Sequence, residues 1–278
     1  GTARAYASSL RSMQRYLGKK DFPFIKLSSR IISDYQGKLL ASGICDNTIG
    51  FYLHNIKALF RKGCREMGLE LPCPFRDISI KTEKTLKRSL DPVVIKTLSA
   101  IELEKDSPLS LARDIFMFSF YTRGMSFVDI ALLKKRHVFP GEICYRRHKT
   151  DQLMRVGINK EISRILERYK NVPGEYIFPL FPAERDPYAG YRSAYHRIRY
   201  SLGKISRVIG LEFPLRLHAA RHSWATIAKV NGASVHVIGE CLGHTSEKTT
   251  RIYLKELDHS ALDAVNNQVA DFILAVDD

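Results

Sequence analysis

Residues 138–158 read VFPGEICYRRHKTDQLMRVGI, and their pattern differs from that of the rest of the chain. The pair Pro140-Gly141 is typical of a turn, and extended segments are predicted over 143–147 and 154–158, separated by Thr150-Asp151-Gln152. On both sides of this stretch, apolar residues recur every three or four positions, which is the spacing of helices. The sequence therefore predicts a mainly α protein with one small antiparallel β-sheet.

The first 82 residues predict a helical N-terminal domain with three helices. Its apolar stripes are Tyr6, Leu10, Met13 and Leu17 before Gly18; Ile31, Ile32, Tyr35 and Leu39 before Gly43; and Ile49, Leu53, Ile56 and Phe60. Ser28 or Ser29 would cap the second helix, and Asp46 or Asn47 the third. Basic residues off these stripes could form an ordinary solvated face, but in so basic a domain we favour a phosphate-binding face; they are Arg11, Arg15, Lys57, Arg61 and Lys62.

The remainder predicts a linker and a larger second domain. Residues 83–90 are polar and basic without an apolar face, so we assign them to the linker, and residues 91–278 to the second domain. Asp91-Pro92 begins a helix with Pro in its first turn, and a long apolar helix is predicted around 111–133. A further apolar stripe follows Asp258, formed by Leu262, Val265, Val269, Phe272 and Ile273.

The charge balance indicates an anionic partner. The 278 residues include 44 Lys and Arg against 29 Asp and Glu, a net charge of +15. Residues 1–82 hold 14 basic and 6 acidic side chains, so the smaller domain is the more densely basic one. This favours double-stranded DNA over an anionic membrane surface, because the basic residues are spread along the chain and not concentrated in one run. No stretch approaches 18 uninterrupted apolar residues, so no transmembrane helix is predicted.

The cysteine pattern favours a cytoplasmic protein. The five Cys, at positions 45, 64, 73, 144 and 241, form no CxxC pair, so neither a disulfide framework nor a zinc ribbon is expected. No signal peptide is predicted. Because the chain opens Gly-Thr without Met, we expect a further N-terminal segment in the full-length protein.

Four short fragments of the second domain combine residue types that can break a phosphodiester bond. Each alone has an ordinary explanation: a packing Tyr, a helix-start His beside a solvated Arg, a Gly that caps a helix, and one more charge in a basic hairpin. Their joint occurrence is poorly explained in that way. In chain order they are YRRHKT at 145–150, LHAARH at 217–222, LGH at 242–244 and TTRIY at 249–253.

The order and spacing of these fragments resemble the tyrosine recombinase family, the phage-integrase-like site-specific DNA recombinases. The resemblance covers about residues 91–260, and the helical N-terminal domain agrees with the family's core-binding domain. It implies an enzyme that cuts and rejoins double-stranded DNA through a 3′-phosphotyrosyl intermediate, with no metal or nucleotide cofactor. It also implies a homotetramer on paired sites, an accessory DNA-bending protein and a nucleoid-associated location. The role would be integration, excision or inversion of a DNA element, with the C-terminal stripe packed on its own domain or on the neighbouring protomer.

The residue types fit metal-free strand cleavage, which needs a nucleophile, cations for the nonbridging oxygens and a proton for the leaving oxygen. Tyr253 can supply the nucleophile, and the planar guanidinium of Arg221 can bind two phosphate oxygens. His218 and His244 can donate hydrogen bonds to those oxygens or accept the Tyr proton, and Lys149 can protonate the 5′ oxygen. Four further residues are expected to contact phosphates: Arg146, Arg147, His148 and Arg155.

One position departs from the family pattern. In the segment YTRGMSFVDIALL at 121–133, Ser126 stands where the family carries its first catalytic Arg, and this wording resembles integrases of Bacteroides-type mobile elements. Arg123, three residues earlier and so on the same face of a helix, is our candidate for the missing cation. Arg147 is the competitor, because strand alternation would place it on the same face as Lys149. The missing Arg leaves open a non-enzymatic DNA-binding protein on this scaffold, and a type IB topoisomerase is a further alternative.

Overall fold

The computed structural model describes residues 2–81, 83, 89–181, 187–244 and 246–254. The chain divides into two compact units, Gly1–Leu86 and Lys87–Asp278. Most of the predicted linker and the whole apolar stripe predicted after Asp258 lie outside the described residues.

Among its described residues the first unit contains three α-helices, at the places where the apolar stripes predict them. They are α1 (Thr2–Leu17), α2 (Ser29–Ala41) and α3 (Asp46–Glu66). Ser28 caps α2 as predicted, whereas the cap of α3 is Cys45, one residue before the predicted Asp46 or Asn47. The Asn47 side chain instead binds the backbone of Glu83 through both its amide nitrogen and its oxygen.

The buried face of α1 is displaced by about one residue from the predicted apolar stripe. Leu10 is 44% exposed, while Ser9 and Ser12 are buried. Their hydroxyls are satisfied inside the unit, because Tyr35 donates to Ser12 at 2.7 Å and Asn55 donates to Ser9 at 3.0 Å. Buried hydroxyl groups therefore take part in the contacts of α1 with α2 and α3, which an apolar stripe alone does not predict.

The second unit is helical around one three-stranded sheet, so the predicted mainly α class is confirmed. Its strands β1 (Val138–Phe139), β2 (Glu142–Arg146) and β3 (Leu153–Gly157) pair antiparallel in the order β1-β2-β3. The helices are α4 (Pro92–Ala100), α5 (Pro108–Tyr121), α6 (Phe127–Ala131), α7 (Lys160–Arg168), α8 (Pro187–Val208), α9 (Leu217–Val230), α10 (Val235–Leu242) and α11 (Glu247–Arg251).

Helix α5 is the centre of the second unit. Its Ile115, Phe116 and Phe118 are fully buried, and α8, α9 and α7 pack around it. The C-terminal half of α9 holds a separate small cluster with α10 and the chain after α11, whose buried members are Ala225, Ile238, Leu242 and Leu254. The segment that follows α9 is thus attached to the unit through a small core of its own.

The prediction of one long helix around 111–133 is wrong, because the chain turns sharply in the middle of this segment. Helix α5 ends at Tyr121, and both Arg123 (φ 60°) and Gly124 (φ 74°) adopt the left-handed conformation that terminates helices. The Gly124 amide closes the turn by donating to the Ser119 carbonyl at 2.7 Å. Ser126 then caps the short helix α6. Arg123 and Ser126 therefore do not share a helical face.

Among the described residues, no helix is both long and apolar enough to cross a membrane.

The turn at Gly124 gives a test of how closely this segment approaches α9. A Cβ on Gly124 would lie 2.5 Å from the Arg221 Cγ and 2.9 Å from its Cα, whereas a Cβ on Gly141, also left-handed, would meet nothing within 4 Å. We expect Gly141→Ala to lower the free energy of unfolding by about 1–2 kcal/mol, the usual cost of a left-handed side chain. Gly124→Ala should lose about 1–3 kcal/mol more, from overpacking. Urea unfolding of both variants measures the difference, and equal losses would contradict the close approach.

Candidate active site

Helix α9 carries three of the motif side chains on one face, because His218, Arg221 and His222 are spaced by three and four residues. His218 is exposed, His222 is half-buried and Arg221 is only 5% exposed. The short sequence spacing therefore places a buried cation beneath two more accessible imidazoles.

The Arg221 guanidinium holds the site together through hydrogen bonds to other segments. Its Nη1 donates to the Gly124 carbonyl at 2.7 Å. Its Nη2 donates to the Leu242 carbonyl and lies 3.0 Å from the His244 Nε2. The Nε atom is buried without a hydrogen-bond partner, alone among the buried side-chain nitrogens and oxygens of the described residues. These partners are carbonyls and an imidazole, so no carboxylate of the described residues hydrogen-bonds the cation.

His244 lies between Arg221 and helix α11. It follows Gly243, which ends α10 in the left-handed conformation (φ 64°). Its Nδ1 is 3.0 Å from the Thr250 Oγ1. Burial, with the nearby charges of Arg221 and then of Arg147 and Lys149, lowers the pKa of His244 to about 4. The imidazole is therefore neutral in the free protein near pH 7.

Tyr253 lies among the motif side chains, just after α11. Its ring stacks on His222, with 4.8 Å between the centroids and 27° between the planes, and it also contacts the rings of His218 at 5.3 Å and His244 at 4.9 Å. The Arg221 Cζ is 5.3 Å from the centre of the Tyr253 ring. The structure thus places three of the other five predicted catalytic residues, Arg221, His218 and His244, around Tyr253.

The hairpin loop between β2 and β3 brings further cations to this cluster. Arg147 donates from Nη1 to the Gly243 carbonyl at 2.5 Å. A Cβ on Gly243 would meet the Met154 Sδ at 2.9 Å, so the glycine lets the hairpin approach. Lys149 is exposed at the tip of the loop. Because β2 ends at Arg146, both Arg147 and Lys149 lie in the loop, and the strand alternation expected to align them does not apply.

Asp129 fixes this loop to the segment that contains Ser126. One of its carboxylate oxygens accepts from the His148 amide at 2.8 Å, and the other accepts from the Ser126 hydroxyl at 2.6 Å. Asp129 is 5% exposed, so these contacts are shielded from water. The Ser126 side chain is thus part of the scaffold that holds the hairpin.

The two candidates for the missing cation are placed differently. Arg123 reaches the Arg155 carbonyl with Nη1 at 3.5 Å, on the far strand of the hairpin. Arg147 contributes, after burial, to lowering the pKa of Arg221 to about 10, and it also lowers that of His244. The geometry therefore favours Arg147 over Arg123 as the second cation near Arg221.

Several predicted phosphate contacts lie outside this cluster and are paired on the surface. Arg146 binds the carboxylate of Asp151 at 3.4 Å, and Arg155 that of Glu142 at 3.5 Å. The predicted phosphate contacts of the first unit lie on the exposed or half-exposed sides of α1 and α3; they are Arg11, Arg15, Lys57, Arg61 and Lys62. Of these, Lys62 forms an ion pair with Glu66. Within the described part of the chain, no group of three or more His, Cys, Asp and Glu could hold a metal ion.

Comparison with known proteins matches both units. The phage integrase family model covers residues 89–259, and the phage integrase SAM-like domain model covers residues 1–76. The chain belongs to the phage integrase family. It is therefore a tyrosine recombinase, an enzyme of site-specific recombination that breaks and rejoins DNA.

Individual relatives are distant. Tyrosine recombinase XerC of Shewanella oneidensis is 26% identical over 226 residues, 78% of this chain and 70% of XerC. The fold is shared with XerH site-specific recombinase bound to palindromic difH substrate, with TM-score 0.69 and 18% identity over 90% of this chain and 75% of that chain. It is shared too with a lambda integrase tetramer bound to a Holliday junction, with TM-score 0.65 and 17% identity over 91% and 72%.

The structure of this recombinase adds residues that the sequence analysis did not single out. The His222 Nδ1 lies within hydrogen-bond distance of the Tyr253 carbonyl, and the Thr250 hydroxyl contacts His244. On α8, basic side chains follow a helical period opposite the buried face, a signal present in the sequence. These basic residues are His196, Arg199, Lys204 and Arg207. Together with Tyr200, Gly203 and Arg216 they line an open groove of about 460 Å³.

The low pKa of His244 predicts how the free recombinase responds to acid. An unfolded His binds a proton near pH 6.5, whereas folded His244 does so near pH 4. Between these values the unfolded state holds more protons, so stability falls as pH drops from about 6.5 to about 4. His244→Gln should lose less stability than the wild type over that window. Thermal unfolding across pH 4–7 measures this, and parallel curves for the two proteins would show that His244 titrates normally.

Proposed function

We propose that Tyr253 of this recombinase attacks a DNA phosphodiester bound by Arg221 and forms a covalent 3′-phosphotyrosyl intermediate. The observation that carries this assignment is the state of Arg221. It is a buried cation beside Tyr253, it has one donor without a partner, and its hydrogen-bond partners in the described part of the chain are carbonyls and an imidazole. Burying a charge without a counterion is costly, and a phosphate would supply both the negative charge and the missing acceptor.

The surrounding groups provide the other parts of the reaction. The Tyr253 oxygen bonds to phosphorus as the bond from phosphorus to the 5′ oxygen breaks. His244 or His218 takes the phenolic proton or donates to a nonbridging oxygen, and Lys149 gives a proton to the departing 5′ oxygen. The products are the phosphotyrosyl link and a free 5′ hydroxyl, and reversal with a second strand rejoins the DNA without an external energy source.

Arg147 is our choice for the cation that Ser126 cannot supply. The transition state spreads negative charge over the nonbridging oxygens, and a second aimed guanidinium would stabilise it. Arg147 is anchored on Gly243, one residue from His244, and its charge acts on both Arg221 and His244. Arg123, favoured by sequence spacing, has turned to the opposite strand of the hairpin.

The duplex would contact both units. Residues 1–82 would form the core-type DNA-binding domain, 83–90 the linker and 91–278 the catalytic domain. The exposed basic residues of α1 and α3, the hairpin residues Arg146, His148 and Arg155, and the basic face of α8 would contact phosphates. Such contacts position the duplex without reading its sequence.

We assign the chain to integration or excision of a mobile DNA element in bacterial cytoplasm, with association to the nucleoid when it is bound to DNA. The lambda integrase tetramer on a Holliday junction supports a homotetramer that exchanges strands at paired sites. An accessory DNA-bending protein would help to assemble that complex.

A nicked suicide substrate that carries the element's end tests the nucleophile. The wild type should form a covalent protein–DNA adduct, and Tyr253→Phe should lose it while keeping its DNA affinity, because only one hydroxyl leaves a large phosphate-contacting surface. Adduct gels and filter binding measure the two properties. An adduct from the Phe variant would move the nucleophile elsewhere, and a wild type that binds the end without any adduct would favour a non-enzymatic binding protein.

The second cation is tested by cleavage rate at saturating DNA. Arg147→Ala should cut about 10²–10³-fold more slowly, the usual loss for one transition-state donor, while Arg123→Ala should lose much less. Arg164→Ala removes an equal charge from the exposed Arg164–Glu161 pair on α7 and serves as the control. Loss in Arg123→Ala with a normal rate in Arg147→Ala would return the role to Arg123.

A further inference from the structure

The two ring nitrogens of His244 have different partners, and these fix its tautomer. Nε2 lies 3.0 Å from the Arg221 Nη2, which can only donate, so Nε2 must accept. The proton of the neutral imidazole is therefore on Nδ1, which donates to the Thr250 hydroxyl at 3.0 Å. In the free protein Arg221 thus sets the tautomer of His244, and Thr250, a residue that the proposed mechanism does not use, accepts the Nδ1 proton.

Thr250 is built tightly into its position. It is fully buried, although threonine is mostly a surface residue. A Cβ on Gly239 of α10 would lie 2.9 Å from its Oγ1, so only glycine leaves room for the hydroxyl there. The Gly239 carbonyl also accepts a hydrogen bond from the His244 amide at 2.9 Å. Gly239, Thr250 and His244 thus form one packed contact.

A hydroxyl suits both states that His244 must adopt during the reaction. In the free protein it accepts from Nδ1–H. When a phosphate oxygen replaces Arg221 at Nε2, the ring can serve that oxygen only with a proton on Nε2. Thr250 can then donate its own hydrogen to Nδ1 or, if the ring is charged, continue to accept. A side chain that only donates or only accepts could not follow both changes.

We propose that Thr250 is a positioning residue that orients the His244 ring and permits its change of tautomer, with Gly239 making room for the hydroxyl. This inference rests on the proposed function, in which His244 serves the scissile phosphate or the Tyr253 proton. Comparable residues hydrogen-bond the second ring nitrogen of metal-binding histidines, and their loss typically costs about 10–100-fold in metal affinity or activity.

Thr250→Val keeps the shape of the side chain and removes the hydroxyl, so it tests this role in the cleavage assay. We expect adduct formation about 10–100-fold slower than in the wild type, with recovery in Thr250→Ser. Thr97→Val, at an exposed position of α4 where the hydroxyl bonds the Val93 carbonyl of the same helix, is the matched control and should cut at the wild-type rate. Gly239→Ala should reproduce the loss, because the added methyl displaces the hydroxyl.

A general packing defect is separated from positioning by a double-mutant cycle. In a His244→Ala background, Thr250→Val should cause no further loss of rate, since the residue acts through the imidazole. The wild-type pH–rate limb that reports His244 should move to lower pH in Thr250→Val, because the charged ring loses an acceptor. The groups that face the ring in both proteins are Arg221, Arg147, Lys149 and Tyr253. An equal loss in both backgrounds would overturn the proposal.

Nitrogen-15 NMR of labelled histidine gives a readout that does not depend on cleavage. The free wild type should show His244 with its proton on Nδ1. Thr250→Val should keep that tautomer, because Arg221 still donates to Nε2, but the Nδ1 resonance should shift since its proton has lost the hydroxyl acceptor. An Nε2-protonated ring in the wild type, or an unchanged Nδ1 resonance in the variant, would refute the role of Thr250 even if the enzyme cleaves DNA. A wild type that shows the expected tautomer but forms no adduct would instead count against the proposed function alone.

Discussion

The active site depends on one buried guanidinium. Arg221 on α9 binds the carbonyl of Gly124 in the turn after α5 and the carbonyl of Leu242 at the end of α10. These two segments are far apart in sequence and carry different parts of the site. The second leads through Gly243 to His244 and, after α11, to Tyr253. A single planar side chain with five donors can join them because its hydrogen bonds point in fixed directions.

This arrangement leaves the site with an excess of positive charge. Burial and the nearby Arg147 lower the pKa of Arg221 to about 10, and the same cations lower that of His244. Asp129, the nearby carboxylate, is occupied by the Ser126 hydroxyl and the His148 amide. The free protein therefore accepts unfavourable electrostatics where a phosphate would relieve them. Stability is given up at the place where affinity for an anion is needed, which is common at active sites.

The sequence predicts the amphipathic parts of this molecule well, together with the turns at Gly18, Gly43 and Pro140-Gly141, but it misses the turn after α5. Apolar spacing locates α1, α2 and α3, and the change of period locates the sheet, because burial of one face dictates those patterns. The break at Arg123-Gly124 is missed since the residues on both sides are apolar and continue the helical period. The contacts of Thr250 and Arg147 are not predicted because they join segments that are distant in sequence or depend on a loop. Thr250 meets His244 through the packing of α11 on α10, and Arg147 meets Gly243 through a loop conformation that strand alternation does not describe.

Ser126 is more than an absent arginine. Its hydroxyl accepts the Asp129 amide at the start of α6 and donates to the Asp129 carboxylate, which in turn holds the His148 amide of the hairpin. An arginine has no acceptor and could not cap this helix. Position 126 can therefore supply either a cation or the hydroxyl that anchors the hairpin through Asp129, but not both. With serine in place, the segment in which the family resemblance predicts the first catalytic Arg instead fixes the loop from which Arg147 reaches Gly243.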